Sequence, residues 1–358
     1  MNHYLLTRSN IESNKAFQRL LDKTQVLTPT IGRQEIVKNR LTHSYEVATS
    51  AEIIADVIST YAFTADYQKA VYNVSLLHDI GHPPFGHDGA KALGSVFKDH
   101  GVEEGFSDNN NNFVVIKKNQ IKISDYELAS LVKYPTKLYK TQKQYRDLLD
   151  KAIDADLAYF ENKIPVDTRP KRTLACEIMD EADRNTYTCA DLADCYCLGL
   201  ADESDLVKLL DSDKFHNIEI IEFLTVAIQA VKQKNKTLIK NIFADLKVKL
   251  NQNYYLAKNL NLKPRDKQLF AFREVLNKLC MRIYISSSYV KKIRKQEGKY
   301  LDFYINYILE NNYYPSKHYA RKIDETKKNK EKYTLIRDMV ADSTDNFIKN
   351  FYLEKNSK

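Results

Sequence analysis

The chain has 358 residues, of which 43% are hydrophobic and 28% are charged, a balance that indicates a globular protein and excludes a disordered one. Its formal net charge of +8 favours anionic partners such as nucleotides or nucleic acid, although a solvated, lysine-rich surface explains the same excess. Five cysteines without a CxxC pair, with no signal peptide and no apolar run near the ~20 residues of a membrane span, predict a soluble, cytoplasmic protein.

The N-terminal part of the sequence predicts two helices separated by an extended segment. A short helix is expected over Ser13–Asp22, and an extended stretch follows around Val26–Ile31. Val47 and Ala51 then recur at helical spacing, and His43 lies one turn before Val47 on the same apolar stripe. We therefore expect the imidazole of His43 to face the interior.

The next helix brings a second histidine and a carboxylate into the interior. This helix starts near Asp66, carries His78 on its apolar stripe, and ends where Gly81 and the prolines after it interrupt the chain. A buried histidine is by itself more often a core residue than a ligand. Asp79 follows directly, however, and a buried carboxylate needs a cation or several donors. Together with His43, this pair suits a divalent metal.

The middle of the chain offers one clear helix start and one polar tract. Ser124 and Glu127 have the spacing of a capping box, which predicts a helix running toward Tyr134. The tract Asn109–Asn112 is predicted to be a loop.

A third helix with candidate chemistry is predicted over Leu174–Leu192. Asp183, Tyr187 and Asp191 follow one another at intervals of four residues and therefore share a face, with Arg184 beside them. Such a face can be an ordinary polar surface with paired side chains. The further acidic residues around this stripe favour a metal ion or a basic partner.

Five segments in the same order resemble a known family. The series Arg40-x-x-His43, His78-Asp79 and a distant Asp183 resembles the HD superfamily of phosphohydrolases. Longer matches resemble the bacterial dGTPase-type deoxynucleoside triphosphate triphosphohydrolases, and these segments are Ser13–Val26, Arg40–Ala48, His78–Gly89, Glu177–Asp194 and Arg337–Phe347. The resemblance spans nearly the whole chain.

This resemblance implies an all-α fold, with an HD-domain helical bundle as its core and additional C-terminal helices. We assign residues 1–200 to the metal-dependent phosphohydrolase core. Residues 201–358 are expected to form a helical extension that packs on the core and contributes to an oligomer. A homo-oligomer is expected from the resemblance alone.

The family hydrolyses a dNTP to the deoxynucleoside and inorganic triphosphate in one step, and the resemblance implies the same reaction for dGTP or several dNTPs. It implies one divalent metal ion per chain, held by His43, His78, Asp79 and Asp183. We expect Mn²⁺, with iron, zinc, cobalt or magnesium as alternatives. The ion would polarise the α-phosphate and lower the pKa of the attacking water.

The resemblance also assigns roles to residues around the metal. His82 and His87 would face the scissile bond, and His87 would protonate the departing 5′-oxygen, a task that suits a group titrating near neutrality. The implied substrate-binding residues are Arg40 and Arg184 for the phosphates, Tyr187 for the deoxyribose, and Asp191 and Gln25 for the 3′-hydroxyl.

One position departs from the family pattern. The family usually has a carboxylate three residues after the second catalytic histidine, where this chain has Ala90. Such an acid orients the imidazole and stabilises its charged form. The acidic residues close enough in the sequence to replace it are Asp88, Glu103, Glu104 and Asp108. Ala90 favours one alternative, a nucleotide-binding or regulatory HD protein with weak or no turnover. Another HD phosphohydrolase, such as a phosphodiesterase or nucleotidase, is a separate alternative, and the set Tyr187, Asp191 and Gln25 argues against it.

Overall fold

Helices make up nearly all of the regular structure. The computed structural model describes residues 3–27, 37–58, 64–136, 143–161, 163, 166, 168–212 and 214–356. In chain order the helices are α1 His3–Ser13, α2 Lys15–Gln18, α3 Arg40–Val57, α4 Ala65–Leu77, α5 Gly86–Asp99, α6 Asp108–Lys118, α7 Asp125–Ser130, α8 Lys143–Phe160, α9 Leu174–Cys197, α10 Ser204–Leu210, α11 Ile218–Lys232, α12 Lys236–Gln252, α13 Lys267–Cys280, α14 Ser288–Asn311, α15 Lys317–Glu325, α16 Asn329–Asp342 and α17 Asp345–Asn356. The predicted all-α fold is confirmed for this part of the chain.

Short irregular elements complete the helices. A 3₁₀ turn covers Arg19–Asp22, and a π-helical turn over Met281–Ile285 continues α13. The strands β1 (Tyr254–Leu256) and β2 (Leu262–Pro264) form an antiparallel hairpin. Among the described residues, no helix is long and apolar enough to cross a membrane.

The N-terminal predictions met with mixed outcomes. The helix predicted over Ser13–Asp22 is broken at Asn14, whose side chain caps α2 by accepting a hydrogen bond from the Ala16 amide at 2.9 Å. Of the extended stretch predicted around Val26–Ile31, residues 28–31 lie outside the described residues.

The capping box at Ser124 is confirmed, because its hydroxyl accepts from the Glu127 amide and Glu127 accepts from the Ser124 amide in return. The prediction that this helix continues toward Tyr134 was wrong, since α7 ends at Ser130. A proline disfavours helical backbone at the residue before it, so Pro135 disfavours a helix that includes Tyr134. The helix predicted over Leu174–Leu192 is confirmed and extends further, to Cys197.

The loop predicted for Asn109–Asn112 was also wrong, because these residues form the first turns of α6. Asparagine is a weak helix former, but Ser107 caps this helix and tertiary hydrogen bonds hold two of the asparagines. The side-chain NH₂ of Asn111 donates to the Gly81 backbone carbonyl at 2.7 Å, and the side-chain oxygen of Asn112 accepts from the Gly81 backbone amide at 2.7 Å. These bonds override the local preference.

The chain divides into two compact units, each assembled from separate stretches. The first unit contains Met1–Ile11, His43–His78 and Lys122–Ser287, and the second contains Glu12–Thr42, Asp79–Ile121 and Ser288–Lys358. The division at residue 200 between a core and an extension stays a prediction.

The first unit has a core centred on the apolar stripes of α3 and α9. The predicted stripe of α3 is confirmed, since Val47, Ala51 and Ile54 are fully buried. They pack with residues from α8, α9 and the β-hairpin, including Phe160 and Tyr254. Helix α9 is buried along most of its length, so polar side chains in its middle are held in the interior.

The second unit has an aromatic core and a buried carboxylate that joins distant segments. Its core brings α5 together with α14, α16 and α17. At the start of α17, Asp345 accepts hydrogen bonds from the Thr24 amide at 2.7 Å and the Phe85 amide at 2.9 Å. The buried Lys23 ammonium donates to the backbone carbonyls of Ala341 and His82. These bonds fix the turn that carries His82.

Candidate metal and catalytic sites

In the first unit, three helices bring His43, His78 and Asp183 together; we call these residues the first cluster. Asp183 Oδ1 lies 3.1 Å from His43 Nε2 and 3.8 Å from His78 Nε2. One ligand atom from each residue can be chosen so that all three lie within 4.8 Å of one another. The three residues come from α3, the end of α4 and the middle of α9, as the sequence predicted.

The orientation of His78 suits a metal ligand. Its Nδ1 lies 2.7 Å from the backbone carbonyl of Ser75. Because a carbonyl can only accept, Nδ1 carries the proton, and the neutral ring keeps its lone pair on Nε2, which faces Asp183. A backbone carbonyl behind the ring is a common second partner of metal-binding histidines. Two imidazoles and one carboxylate form a donor set that fits a divalent transition metal.

Lys133 belongs to the surroundings of the first cluster and was missed in the sequence. Its ammonium lies 2.8 Å from Asp180 Oδ1 and 3.1 Å from Asp183 Oδ2. Burial lowers the pKa of Lys133, but the charges of Asp183 and Asp180 outweigh burial and hold the pKa above its usual range. No sequence pattern marks this lysine, because its partners lie almost fifty residues later.

The same electrostatics keep Asp183 ionised. Burial raises the pKa of this carboxyl group, but Lys133 and the hydrogen bond with His43 lower it more, so that it lies well below the usual range. A carboxylate must be ionised to bind a metal. The pair with Lys133 therefore keeps Asp183 in the charge state that a metal ligand requires.

The remaining predicted residues of α9 lie in the first unit with different exposure. Asp191 is buried, and Tyr187 is partly buried with its hydroxyl accepting from the Asn277 side chain at 3.4 Å. Arg184 is 45% exposed, and its guanidinium lies 3.1 Å from Asp180. The helix thus carries Asp183 and Asp191 inside and Arg184 at its surface.

The second unit contains a chain of charged and ionisable groups. Asp79 Oδ2 accepts from the Arg40 guanidinium at 2.5 Å, and Asp79 Oδ1 lies 3.2 Å from His82 Nδ1. Asp108 Oδ2 lies 3.2 Å from His82 Nε2 and also 3.2 Å from His87 Nδ1. We call His82, His87 and Asp108 the second cluster. It places the two predicted catalytic histidines on one carboxylate.

The members of the second cluster differ in exposure. His87 is 76% exposed, whereas the Asp108 side chain is 14% exposed and His82 is buried. Burial, followed by the charge of Arg40, lowers the pKa of His82 to about 3. Burial raises the pKa of Asp108, but the hydrogen bond from His87, the two neighbouring imidazoles and the Asn109 amide together outweigh burial and keep this pKa below its usual range. His82 is therefore neutral at physiological pH, and Asp108 is ionised.

Close packing places Asp108 beside the histidines. A Cβ atom added to Gly81 would lie 2.4 Å from the Asp108 carbonyl oxygen and 2.3 Å from the Asn112 amide. Only glycine allows this approach. His87 enters from the start of α5, where Phe85 and Gly86 both have a positive φ of 59°.

The structure resolves which nearby acid reaches His87. Among the four described acids near Ala90, Asp108 is the one whose carboxylate lies within 3.2 Å of this imidazole. Asp88 instead lies 3.7 Å from Lys91, and Glu104 pairs with Lys330.

Two predicted substrate-binding residues belong to the second unit. Gln25 is partly buried just after the 3₁₀ turn, and Arg40 is buried with Asp79 as its partner. Their predicted contacts with phosphate and sugar stay predictions.

Comparisons with known proteins agree with this geometry. The family model described as "HD domain" matches residues 40–187, a span that contains both clusters. The chain therefore carries an HD domain, and HD domains bind divalent metals.

The relatives define the family more narrowly. The chain is 32% identical to a deoxyguanosinetriphosphate triphosphohydrolase-like protein of Wolinella succinogenes, over 57% of this chain and 52% of that protein. It is 26% identical to a protein of the same name from Leptospira interrogans, over 96% of this chain and 87% of the relative. It is 27% identical to one from Shewanella halifaxensis, over 65% of this chain and 63% of the relative.

The chain therefore carries an HD domain and is similar to several dGTPase-like proteins. It spans about half to two thirds of the length of several of these relatives. A solved structure of a hypothetical protein from Aquifex aeolicus aligns with 96% of this chain and 66% of its own, at a TM-score of 0.43 and 16% identity, a likeness too low to carry a functional argument.

Proposed function

We propose that the protein is a metal-dependent hydrolase that converts dGTP or several dNTPs to the deoxynucleoside and inorganic triphosphate. The observation that carries this proposal is the first cluster, in which Ser75 turns the Nε2 of His78 toward Asp183. The names of the relatives point to a deoxynucleoside triphosphate as the substrate.

The proposed ligands of one divalent ion are His43, His78 and Asp183, with Asp79 as the fourth. Asp79 is the next residue after His78 and carries over from the family motif. Mn²⁺ is the proposed ion, because imidazole and carboxylate suit Mn²⁺, Fe²⁺ or Zn²⁺ and a phosphate-rich substrate favours Mn²⁺. When bound, the ion supplies a Lewis acid for the α-phosphate and lowers the pKa of the attacking water.

We propose that Lys133 and Arg184 bind the triphosphate, together with the predicted Arg40. Lys133 has a raised pKa and therefore carries its charge at neutral pH. Arg184 is half exposed and can offer its forked donors to phosphate oxygens. Lys133 and Arg184 neutralise carboxylates of α9, and Arg40 neutralises Asp79, which explains how these buried acids are tolerated without substrate.

The proposed sugar site contains Tyr187, Asp191 and Gln25. The Tyr187 ring lies one helical turn beyond Asp183 and would exclude a 2′-hydroxyl. Asp191 and Gln25 would bind the 3′-hydroxyl. His82 and His87 are the proposed acid–base pair, with His87 as the proton donor because its ring is exposed.

The test is a product analysis on the full chain. Purified protein is incubated with each dNTP and with GTP in the presence of Mn²⁺, and free nucleoside and triphosphate are quantified. We expect equimolar deoxynucleoside and triphosphate from at least one dNTP, and neither product from the variant His43→Ala. Release of pyrophosphate or single phosphates instead would contradict the proposed bond cleavage.

A second candidate is a nucleotide-binding or regulatory HD protein with weak or no turnover, and Ala90 is the observation that favours it. It predicts metal-dependent dNTP binding in calorimetry without any product. A third reading, another HD phosphohydrolase, predicts turnover of nucleotides other than dNTPs. A homo-oligomer, nucleic acid binding through the basic surface and a cytoplasmic location stay predictions.

A further inference from the structure

We propose that Asp108 supplies, from a different helix, the carboxylate that position 90 lacks, and acts as a positioning residue for His87. This inference rests on the proposed triphosphohydrolase function and adds a residue to it. Position 90 lies on the same helix as His87, whereas Asp108 is the first residue of α6. The orienting acid is thus moved from α5 to α6.

Asp108 contacts Nδ1 of His87 and leaves Nε2 for the proposed proton transfer. Asp108 Oδ2 lies 3.2 Å from Nδ1 of His87. The carboxylate can only accept, so Nδ1 carries a proton and the ring presents Nε2 away from this bond. His87 is 76% exposed, which leaves that side of the ring open to a substrate. In hydrolytic triads an aspartate holds the imidazole in the same way.

Asp108 is itself held firmly. Its other oxygen, Oδ1, accepts from the Asn109 amide at 2.9 Å and from the Asn109 side chain at 3.0 Å. Its place at the N-terminus of α6 favours negative charge. The neighbouring His82 is buried, and its Nε2 lies 3.2 Å from Oδ2. The carboxylate therefore has little freedom to leave His87.

The step that depends on this position is the release of the 5′-oxygen. Water adds to the α-phosphorus, the bond from phosphorus to the 5′-oxygen breaks, and the 5′-oxygen takes the Nε2 proton of the His87 imidazolium, whose Nδ1 proton stays on the ring beside Asp108. One proton of the water returns to the imidazole, so that deoxynucleoside and triphosphate are the only products. Asp108 neither gains nor loses a proton in this sequence.

The main variant is Asp108→Asn, which keeps the helix start and the shape of the side chain. We expect kcat to fall by roughly 10²–10⁴-fold, the usual contribution of a positioned acid–base group, with KM and bound metal unchanged. Adding Ala90→Glu to this variant should restore at least a tenth of the lost rate. Asp88→Asn, which changes an exposed acid paired with Lys91 and Arg294, is the matched control and should have no effect.

A double-variant cycle tests whether Asp108 acts through His87. If it does, Asp108→Asn should cost nothing further in the His87→Ala background. Equal losses in both backgrounds would overturn the inference, and so would a wild-type rate in Asp108→Asn. Loss of one bound metal ion per chain in Asp108→Asn would also overturn it, because the second cluster would then be a metal site.

A measurement independent of turnover separates this inference from the proposed function. Imidazole ¹⁵N shifts of wild-type protein should show His87 protonated at Nδ1, and Asp108→Asn should abolish that preference. If wild type hydrolyses no dNTP but shows this signature, the proposed function fails and the positioning contact stands. A His87 ring without the preference in wild type overturns the positioning role, whether or not the protein is active.

Discussion

The two clusters combine the same residue types in different surroundings. In each of them one carboxylate oxygen faces two imidazoles, Asp183 in the first unit and Asp108 in the second. In the first cluster both imidazoles are buried and a lysine compensates the acid. In the second, one imidazole is buried and neutral and the other is exposed. A closed set of buried ligands suits a cation, whereas a carboxylate with one exposed histidine suits proton transfer.

The two units also differ in the carboxylates that lie at the N-termini of their helices. Asp156 accepts from the Leu174 amide at the start of α9, and Asp108 is the first residue of α6. Their pKa values move in opposite directions, because burial outweighs the hydrogen bonds to Asp156, whereas the hydrogen bond from His87 and the other groups around Asp108 together outweigh burial. The neighbours of an acid, more than its place on a helix, decide its charge.

The largest expected effect tests the first cluster as a metal site. Asp183→Asn removes the charge on which both imidazoles converge, and we expect the bound metal to fall from about one ion per chain to none, with complete loss of activity. Elemental analysis after purification without chelators measures this. Asp191→Asn, on the same helix, should keep the metal. Metal retained by Asp183→Asn, or none taken up by wild type from added Mn²⁺, would contradict the assignment.

The next effect tests the second cluster as proton machinery. His87→Ala should lower kcat by roughly 10²–10⁴-fold while the metal content stays at the wild-type level. Because Asp108 already faces His87, Ala90→Glu in wild type should leave kcat unchanged or lower it. Rates of triphosphate release measure both. A large gain from Ala90→Glu alone would mean that Asp108 does not fill the role.

Two residues of the first cluster could be predicted from the sequence alone, because His43 and His78 lie on apolar helical stripes. Asp183 shares a polar helix face with Tyr187 and Asp191, and only the resemblance to the HD superfamily singles it out; the structure brings all three residues of the cluster together. Lys133 and Asp108 could not be placed in this way. Their partners lie on other helices, and contacts between helices leave no periodic signal in one sequence.

The same limit explains the errors in the fold. The helix over the asparagine tract forms because Gly81 offers both an amide and a carbonyl to it, an arrangement that local propensity does not reveal. The hairpin at Tyr254 has strands of three residues, too short for an alternating pattern to be recognised.

A smaller effect concerns stability and the acid at the start of α9. Burial raises the pKa of Asp156 to about 6, a shift that hydrogen bonds from Leu174 and Tyr126 limit. A raised pKa gives a stability contribution that is present below the unfolded pKa near 3.8 and is lost as the pH rises through 6. The loss is of order 3 kcal/mol for a shift of about two units.

Urea unfolding of wild type and Asp156→Asn at pH 4 and pH 7 measures this contribution. Wild type should lose stability relative to the variant between the two pH values, because asparagine does not ionise. A constant difference between the two proteins would show that Asp156 titrates as an ordinary carboxyl group.

The smallest expected effect is on the discrimination between deoxyribose and ribose nucleotides. The variants that test it lie on two faces of α9. Tyr187 lies one turn beyond Asp183 and is partly buried, with its hydroxyl held by Asn277 at 3.4 Å. If the ring excludes the 2′-hydroxyl, Tyr187→Ala should narrow the ratio of kcat/KM between dGTP and GTP by roughly tenfold, about 1.4 kcal/mol. Tyr187→Phe keeps the ring and loses only the hydroxyl, so it should retain the wild-type ratio. Arg184→Ala, on the exposed face, should weaken the binding of both nucleotides alike, since ribose and deoxyribose triphosphates carry the same phosphates.

Wild-type protein that hydrolyses GTP and dGTP equally well would contradict the assignment of Tyr187 to the sugar site. A ratio that changes with Arg184→Ala but not with Tyr187→Ala would move the discrimination to the other face of the helix.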